Sequence, residues 1–195
     1  YEILEKQGAP VKLVAICDID QAQFTKAAKI NLDGTPKWDL SGQALYTDLD
    51  KMMAEQEFDM VDICLPTYLH KEYACRMLRA GKHVLCEKPF GRNREECETM
   101  MRIAKEKKCV LAVFHNTQEA PFYLHALETI RSGKLGEIKQ ISIFYNGFAR
   151  RWDWQTLQKK LAGSVYNTGP HPIAMALGFL EFDAETRVAF SKLDL

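Results

Sequence analysis

An apolar run that ends in Glu87, Lys88 and Pro89 carries the clearest chemical possibility in the chain. Residues 83–86 follow a Gly81-Lys82 turn and are rich in β-formers, which predicts a short strand. In parallel sheets the carboxyl ends of the strands open on the crevice where ligands bind. The spacing therefore sets a carboxylate and an ammonium at the mouth of such a crevice, and the fixed φ of Pro89 restrains where the amine points. A Glu-Lys pair in an arbitrary loop is two solvated charges of little consequence. What raises this pair above that is the series of elements around it.

Those elements alternate. Residues 11–17 read as a strand ending in Asp18, and residues 21–30 as a helix with Phe24, Ala27, Ala28 and Ile30 inward. A loop containing Asp33, Gly34, Pro36, Ser41 and Gly42 follows. Residues 44–46 form a short strand, and Thr47 is the expected cap of a helix reaching about Gln56. Residues 60–65 are apolar apart from Asp62 and stop at Pro66; residues 69–80 are helical and close at Gly81. After the strand at 83–86 come a helix over 94–106 and a strand over 109–114. Near-continuous apolar strands alternating with helices predict a parallel sheet covered on both faces, with right-handed crossovers. The expected result is a doubly wound nucleotide-binding fold.

The pattern changes near residues 116–121, which divides the chain into a dinucleotide-binding domain (1–117) and part of a second α/β domain (118–195). Residues 121–132 are helical and closed by Gly133. Over 138–148, Ile141, Ile143 and Tyr145 alternate with Gln140, Ser142 and Phe144, the pattern of a long strand in an open, mostly antiparallel sheet. Residues 186–190 are the one later stretch with strand character.

Lys+Arg and Asp+Glu each number 26 in 195 residues, a formal net charge of zero. That balance argues against nucleic acid or an anionic membrane as partner, since both call for a basic surface. No apolar run approaches the roughly 20 residues that span a bilayer, and the charged opening segment is unlike a signal peptide. The six cysteines form no Cys-x-x-Cys pair and have no histidine at zinc-like spacing. We therefore expect no metal and a reduced, cytoplasmic protein.

A doubly wound dinucleotide-binding fold needs a first strand and a Gly-rich turn for the pyrophosphate. The chain holds no Gly-x-Gly-x-x-Gly and opens on what reads as the later part of a helix, residues 1–7, ended by Gly8. The sequence is thus expected to start about 30 residues into this fold, judged from the size of a βαβ unit. Asp18 then falls at the end of the second strand, where an acid hydrogen-bonds the adenosine ribose hydroxyls. A lone Asp after a strand also serves as a turn or cap residue. With no Arg or Lys directly after it, its carboxylate favours NAD over NADP, whose 2′-phosphate it repels.

Together these segments resemble the family of glucose-fructose oxidoreductase, inositol dehydrogenase and MocA-like proteins. The likeness rests on Cys17-Asp18-Ile19-Asp20, on the stretch from Val61 through Pro66-Thr67-Tyr68-Leu69-His70, and on Ala80-Gly81-Lys82-His83 through Glu87-Lys88-Pro89. It continues in Gly133-Lys134-Leu135-Gly136-Glu137-Ile138 and in Gly163-Ser164-Val165-Tyr166-Asn167-Thr168-Gly169-Pro170-His171. The resemblance implies a Rossmann domain lacking its first strand, part of a C-terminal α/β domain, and NAD(P)-dependent hydride transfer on sugars, polyols or related alcohols. It also implies homo-oligomers built through the C-terminal sheet.

Carried over by motif, Lys88 is the catalytic lysine, reaching the cofactor ribose and the reacting hydroxyl, and the Lys88–Pro89 peptide is cis. Glu87, Pro66, Thr67 and His70 line the cofactor site. A group must take the hydroxyl proton as an alcohol becomes a carbonyl; His171, one helical turn past Asn167, is the matching candidate, with Asn167 beside it. Many members carry Asp where this chain has Asn167, and an amide orients a neighbour without the charge of a carboxylate. Arginine, frequent after the sixth strand of the family, is replaced by Thr117 and Gln118, which argues against an anionic substrate. Asn116, Arg151, Trp152 and Asn167 are candidate substrate contacts, the middle two within an aromatic and charged cluster, Arg150 to Trp154, whose alternative role is a domain interface. The leading expectation is an NAD-dependent dehydrogenase of a carbohydrate or cyclic polyol. Two alternatives stay open: an NAD-dependent glycosidase, and a cofactor-binding sensor without catalysis.

Overall fold

Short apolar stretches that pair side by side organise the chain, and the helices after them cover what they expose. The computed structural model describes residues 4, 7–25, 40, 42–147 and 154–192. They fall into two compact units, Tyr1–Asp59 and Met60–Leu195, each described by itself.

In the first unit β1 (Ala15–Cys17) pairs in parallel with β2 (Ala44–Tyr46), Ala15 opposite Ala44 and Cys17 opposite Tyr46. The strand expected from residue 11 pairs only where its three-residue partner can reach it. Of the helix expected over 21–30, the turn Gln21–Phe24 is a 3₁₀ helix capped by Asp20, and residues 26–30 lie outside the described residues. So do most of the opening helix and the loop at 31–39 and 41. Helix α1 (Leu49–Glu55) is capped by Asp48 and not by Thr47. Asp48 has the extended backbone a cap requires, and its carboxylate accepts the Lys51 N–H at 3.0 Å. Gln56 Nε2 donates to the Tyr46 hydroxyl at 2.8 Å, which ties the end of α1 to β2.

The second unit opens with a parallel sheet of order β3 (Met60–Ile63), β4 (His83–Glu87), β5 (Leu111–Phe114). Ile63 lies opposite Cys86, and Glu87 opposite Phe114, so the carboxyl ends of the three strands are level. Helix α2 (Thr67–Arg79) follows β3 and helix α3 (Arg94–Lys107) follows β4. Their inward faces and the sheet bury Ala74, Met77, Leu78, Val84, Cys86, Met100 and Ile103. Helix α2 ends as expected, with Gly81 at φ +77° and its N–H on the Leu78 carbonyl at 3.0 Å. At the start of α3, Asn93 accepts the Glu96 N–H at 3.0 Å, while the buried Glu96 carboxylate accepts from the backbone N–H of Arg92 and from its guanidinium. The hydrogen bonds from Arg92 hold that carboxyl below the usual carboxylate range, against the opposing effect of burial.

Helix α4 (Pro121–Arg131) and helix α5 (Pro170–Phe179) pack on one another further along the unit, around Tyr123, Leu127 and Met175. The long strand expected over 138–148 is not a strand among the described residues, because no described segment pairs with it. Its alternation is nevertheless used: Ile143 packs on the α4–α5 cluster, and the Tyr145 hydroxyl donates to the Met175 sulfur at 3.8 Å. Residues 186–190 likewise form no strand, again with no pairing neighbour.

The α4–α5 contact depends on one missing side chain. A Cβ at Gly178 would sit 1.8 Å from the Tyr123 hydroxyl oxygen, and Tyr123 is only 2% exposed, so it has nowhere to go. Gly178→Ala is expected to destabilise the protein by about 1–3 kcal/mol, the usual range for overpacking. Adding Tyr123→Phe removes the hydroxyl and should return part of that loss. Urea midpoints of the two single variants and the double variant check this; strictly additive losses would rule out the clash.

Candidate active site

At the level carboxyl edge of β3–β4–β5 lies a cavity of about 440 Å³ within the second unit. Lys88 enters it directly after β4. Its Nζ donates to the Asn167 backbone oxygen at 2.8 Å and to Asn167 Oδ1 at 3.3 Å. The Lys88–Pro89 peptide is cis, and the Lys88 N–H donates to Glu87 Oε2 at 3.1 Å. Cys64 and Leu65 line the wall after β3, and Thr67 opens α2 with Pro66 at the cap position before it.

The opposite wall has an unusual backbone. Residues Ser164–Thr168 form a π-helical turn in which the Gly169 N–H reaches the Ser164 carbonyl at 2.8 Å, five residues back. It begins after Gly163, at φ +86°, and runs into α5. Tyr166, Asn167 and Thr168 line the cavity from this turn, and His171 from the first turn of α5. Trp154, Gln155, Leu161 and Ala162 complete it.

Of the residues singled out in the sequence, Thr67, Glu87, Lys88, Asn167 and His171 thus share one cavity. His70 does not line it. It is fully buried, with Nδ1 2.9 Å from the Pro89 oxygen and Nε2 2.7 Å from the Leu65 oxygen, and so joins two of the loops that do. Asn116 is exposed in a 3₁₀ turn, Asn116–Glu119. Asp18 belongs to the first unit, at the end of β1, where its Oδ1 accepts the Asp20 N–H at 2.8 Å. Arg151 and Trp152 lie outside the described residues, as do Arg150 and Asp153.

The surroundings of His171 were not evident in the sequence. Its Nδ1 is hydrogen-bonded to the Thr117 hydroxyl. The His115 ring meets its edge at a centroid distance of 5.1 Å, and the Tyr145 ring stacks parallel to it at 6.5 Å. Burial first, then the positive charge of Lys88, then His115, push His171 below the ordinary histidine value. His115 is lowered by burial and by Lys88. Among the described residues, His115 Nε2 and Gln118 Nε2 are buried without a hydrogen-bond partner.

Although Cys64 is exposed as a residue, its thiol is pushed up to about 12, by burial of the sulfur and by the charges of Asp62 and Glu87. It is a silent thiol and not a nucleophile. The remaining groups suit a hydroxyl-bearing ring. An ammonium donates, a carboxylate accepts, and the Thr67 hydroxyl does either. The volume is in the range of small-ligand sites. The same groups fit the ribose of a nicotinamide nucleotide, with Thr67, Glu87 and Lys88 as the residues that would hold it.

Comparison with known proteins bears on these placements. The pattern of an oxidoreductase family with an NAD-binding Rossmann fold matches residues 2–115, and that of the GFO/IDH/MocA C-terminal domain matches residues 123–192. An uncharacterized oxidoreductase of Schizosaccharomyces pombe is 36% identical over 135 residues, covering 68% of this chain and 37% of that protein. The NADP(+)-dependent scyllo-inositol 2-dehydrogenase IolW of Bacillus subtilis is 28% identical over 161 residues, covering 82% of this chain and 45% of that protein. The crystal structure of an NAD-binding protein from Listeria innocua superposes with a TM-score of 0.72 at 26% identity, over 85% of this chain and 46% of that one. The chain spans less than half the length of the two curated relatives. With a parallel α/β sheet, the cavity at its carboxyl edge and two consecutive domain matches in family order, the chain belongs to the GFO/IDH/MocA oxidoreductase family.

Proposed function

We propose that the protein is an NAD-dependent dehydrogenase that oxidises a hydroxyl of a cyclic polyol or sugar, and reduces the ketone in reverse. One observation carries this reading: Lys88, Asn167 and His171 converge on a single ring-sized cavity at the carboxyl edge of a parallel sheet. Bound nicotinamide supplies the hydride acceptor. In the cavity, the Lys88 ammonium binds the reacting oxygen and stabilises the negative charge that develops on it. Its contact with Asn167 fixes the direction of that ammonium. As the C–H hydride leaves, the O–H proton passes to His171, which its surroundings keep neutral and therefore able to accept. Asn167 acts by orientation alone.

The cofactor preference rests on Asp18, whose carboxylate disfavours a 2′-phosphate. The domain division at 117/118 is supported by the two family matches, which end at residue 115 and resume at 123. A cytoplasmic location fits six cysteines that are all free. No helix among the described residues is long and apolar enough to cross a membrane. We also propose homo-oligomers through the C-terminal sheet, as the family resemblance implies.

The test is a panel of inositols, sugars and sugar alcohols offered with NAD and with NADP to the full-length protein. NADH formation on at least one cyclic polyol or sugar is the expected result. Tight NADH binding with no turnover across the panel would support the sensor reading instead. Release of a free sugar without net NADH would point to a glycosidase.

A further inference from the structure

The Thr117 hydroxyl is the hydrogen-bond partner of His171 Nδ1. That contact leaves Nε2 as the nitrogen through which His171 can act on the cavity. A neutral imidazole carries its proton on one nitrogen only, and the choice decides whether the cavity meets a lone pair or an N–H. One feature of the site biases that choice and a second is compatible with it. The Lys88 charge lies on the cavity side and attracts a lone pair, not an N–H. The Thr117 hydroxyl meets Nδ1 on the far side, where its oxygen can accept from an Nδ1–H, while the His115 and Tyr145 rings keep the imidazole from turning away.

We propose that Thr117 is a positioning residue that holds His171 in the Nδ1–H tautomer, so that a bare Nε2 faces the substrate hydroxyl. The inference rests on the dehydrogenase reading for its catalytic meaning, but the tautomer itself does not. The titratable groups around the ring are Lys88 after β4, His115 after β5 and Tyr145. Glu87 lines the same cavity, and Glu119, on the turn that carries Thr117, is exposed.

The experiment has two arms, both on the full-length protein. In the first, ¹⁵N-histidine labelling reads the tautomer of each ring by NMR, with His171→Gln assigning the His171 signals. The wild type should show Nδ1–H at His171, Thr117→Ser should match it, and Thr117→Val should shift toward Nε2–H. In the second arm, Thr117→Val should lower kcat by about 100-fold, the low end of what a positioned base contributes. The affinity for NADH should be unchanged and Thr117→Ser should restore activity. The acid limb of kcat/KM should move to lower pH in Thr117→Val, because the imidazolium loses an acceptor for its Nδ1–H. Finding Nε2–H in the wild type, or an unaltered tautomer in Thr117→Val, overturns the proposal whatever the turnover. The expected tautomers with no turnover on any substrate would leave Thr117 as assigned and remove the dehydrogenase reading.

Discussion

Lys88→Met should reduce turnover to background, a loss on the order of 10³-fold or more, while NADH binding remains measurable by fluorescence. The substitution keeps length and apolar stem but deletes the charge proposed to stabilise the reacting oxygen, and such donors are worth about 10²–10³-fold each. A second loss comes with it. The Asn167 backbone oxygen and side chain both take their Lys88 hydrogen bonds from one Nζ, so the π-helical turn loses its tie to the strand β4 edge. Lys88→Arg should not rescue the enzyme. A planar guanidinium is bulkier and forked, and it cannot place a single nitrogen 2.8 Å from the Asn167 oxygen and also reach a substrate oxygen in the same way. Turnover within tenfold of wild type in Lys88→Met would remove Lys88 from the chemistry altogether.

The second large effect is expected at a residue with no side chain. A Cβ at Gly169 would lie 2.2 Å from the Val165 carbonyl oxygen, a backbone atom. Gly169 has an ordinary helical backbone, φ −52° and ψ −35°, so the need is for space and not for an unusual conformation. The wide turn creates that need: the Gly169 N–H bonds five residues back, and the Val165 carbonyl is left facing the Gly169 Cα. Gly169→Ala must therefore displace the turn that carries Asn167 or the start of α5 that carries His171. Misplacing catalytic groups by about 1 Å is enough to lose 10²-fold in rate, and kcat should fall by about that much. The thermal midpoint should drop as well, by the equivalent of about 1–3 kcal/mol. A variant with a lowered midpoint but wild-type kcat would show that the turn is structural and does not set the site.

How much of this was readable from the residues depended on whether the signal was local. The strands at Met60–Ile63 and His83–Glu87 are mostly apolar runs stopped by Pro66 and Pro89, and Gly81 marks the end of α2 without help from tertiary contacts. The helix cap was misread by one residue because Thr47 and Asp48 are both capping types; only the backbone at Asp48 distinguishes them. Alternation over residues 138–148 reports which side chains face a core, and Ile143 does pack there, but it says nothing about whether a neighbouring strand exists. The π-helical turn is invisible because a single wide turn leaves no period to detect. His115 was within reach: it directly follows β5 at the same sheet edge as Lys88. Thr117 was not. In the sequence it is a missing arginine, and its bond to His171 joins residues 54 positions apart.

The notch between Gly178 and Tyr123 has a consequence that belongs to evolution. Two helices from distant parts of the chain touch where one residue has no side chain and the other ends in a hydroxyl, and the glycine cannot gain a side chain while that hydroxyl is there. Positions 123 and 178 should therefore behave as one character with two letters. Among relatives that keep this helix pair, a tyrosine at the first should accompany a glycine at the second. A lineage that gains a methyl at 178 must already have shortened 123, so the order of the two substitutions is set in advance.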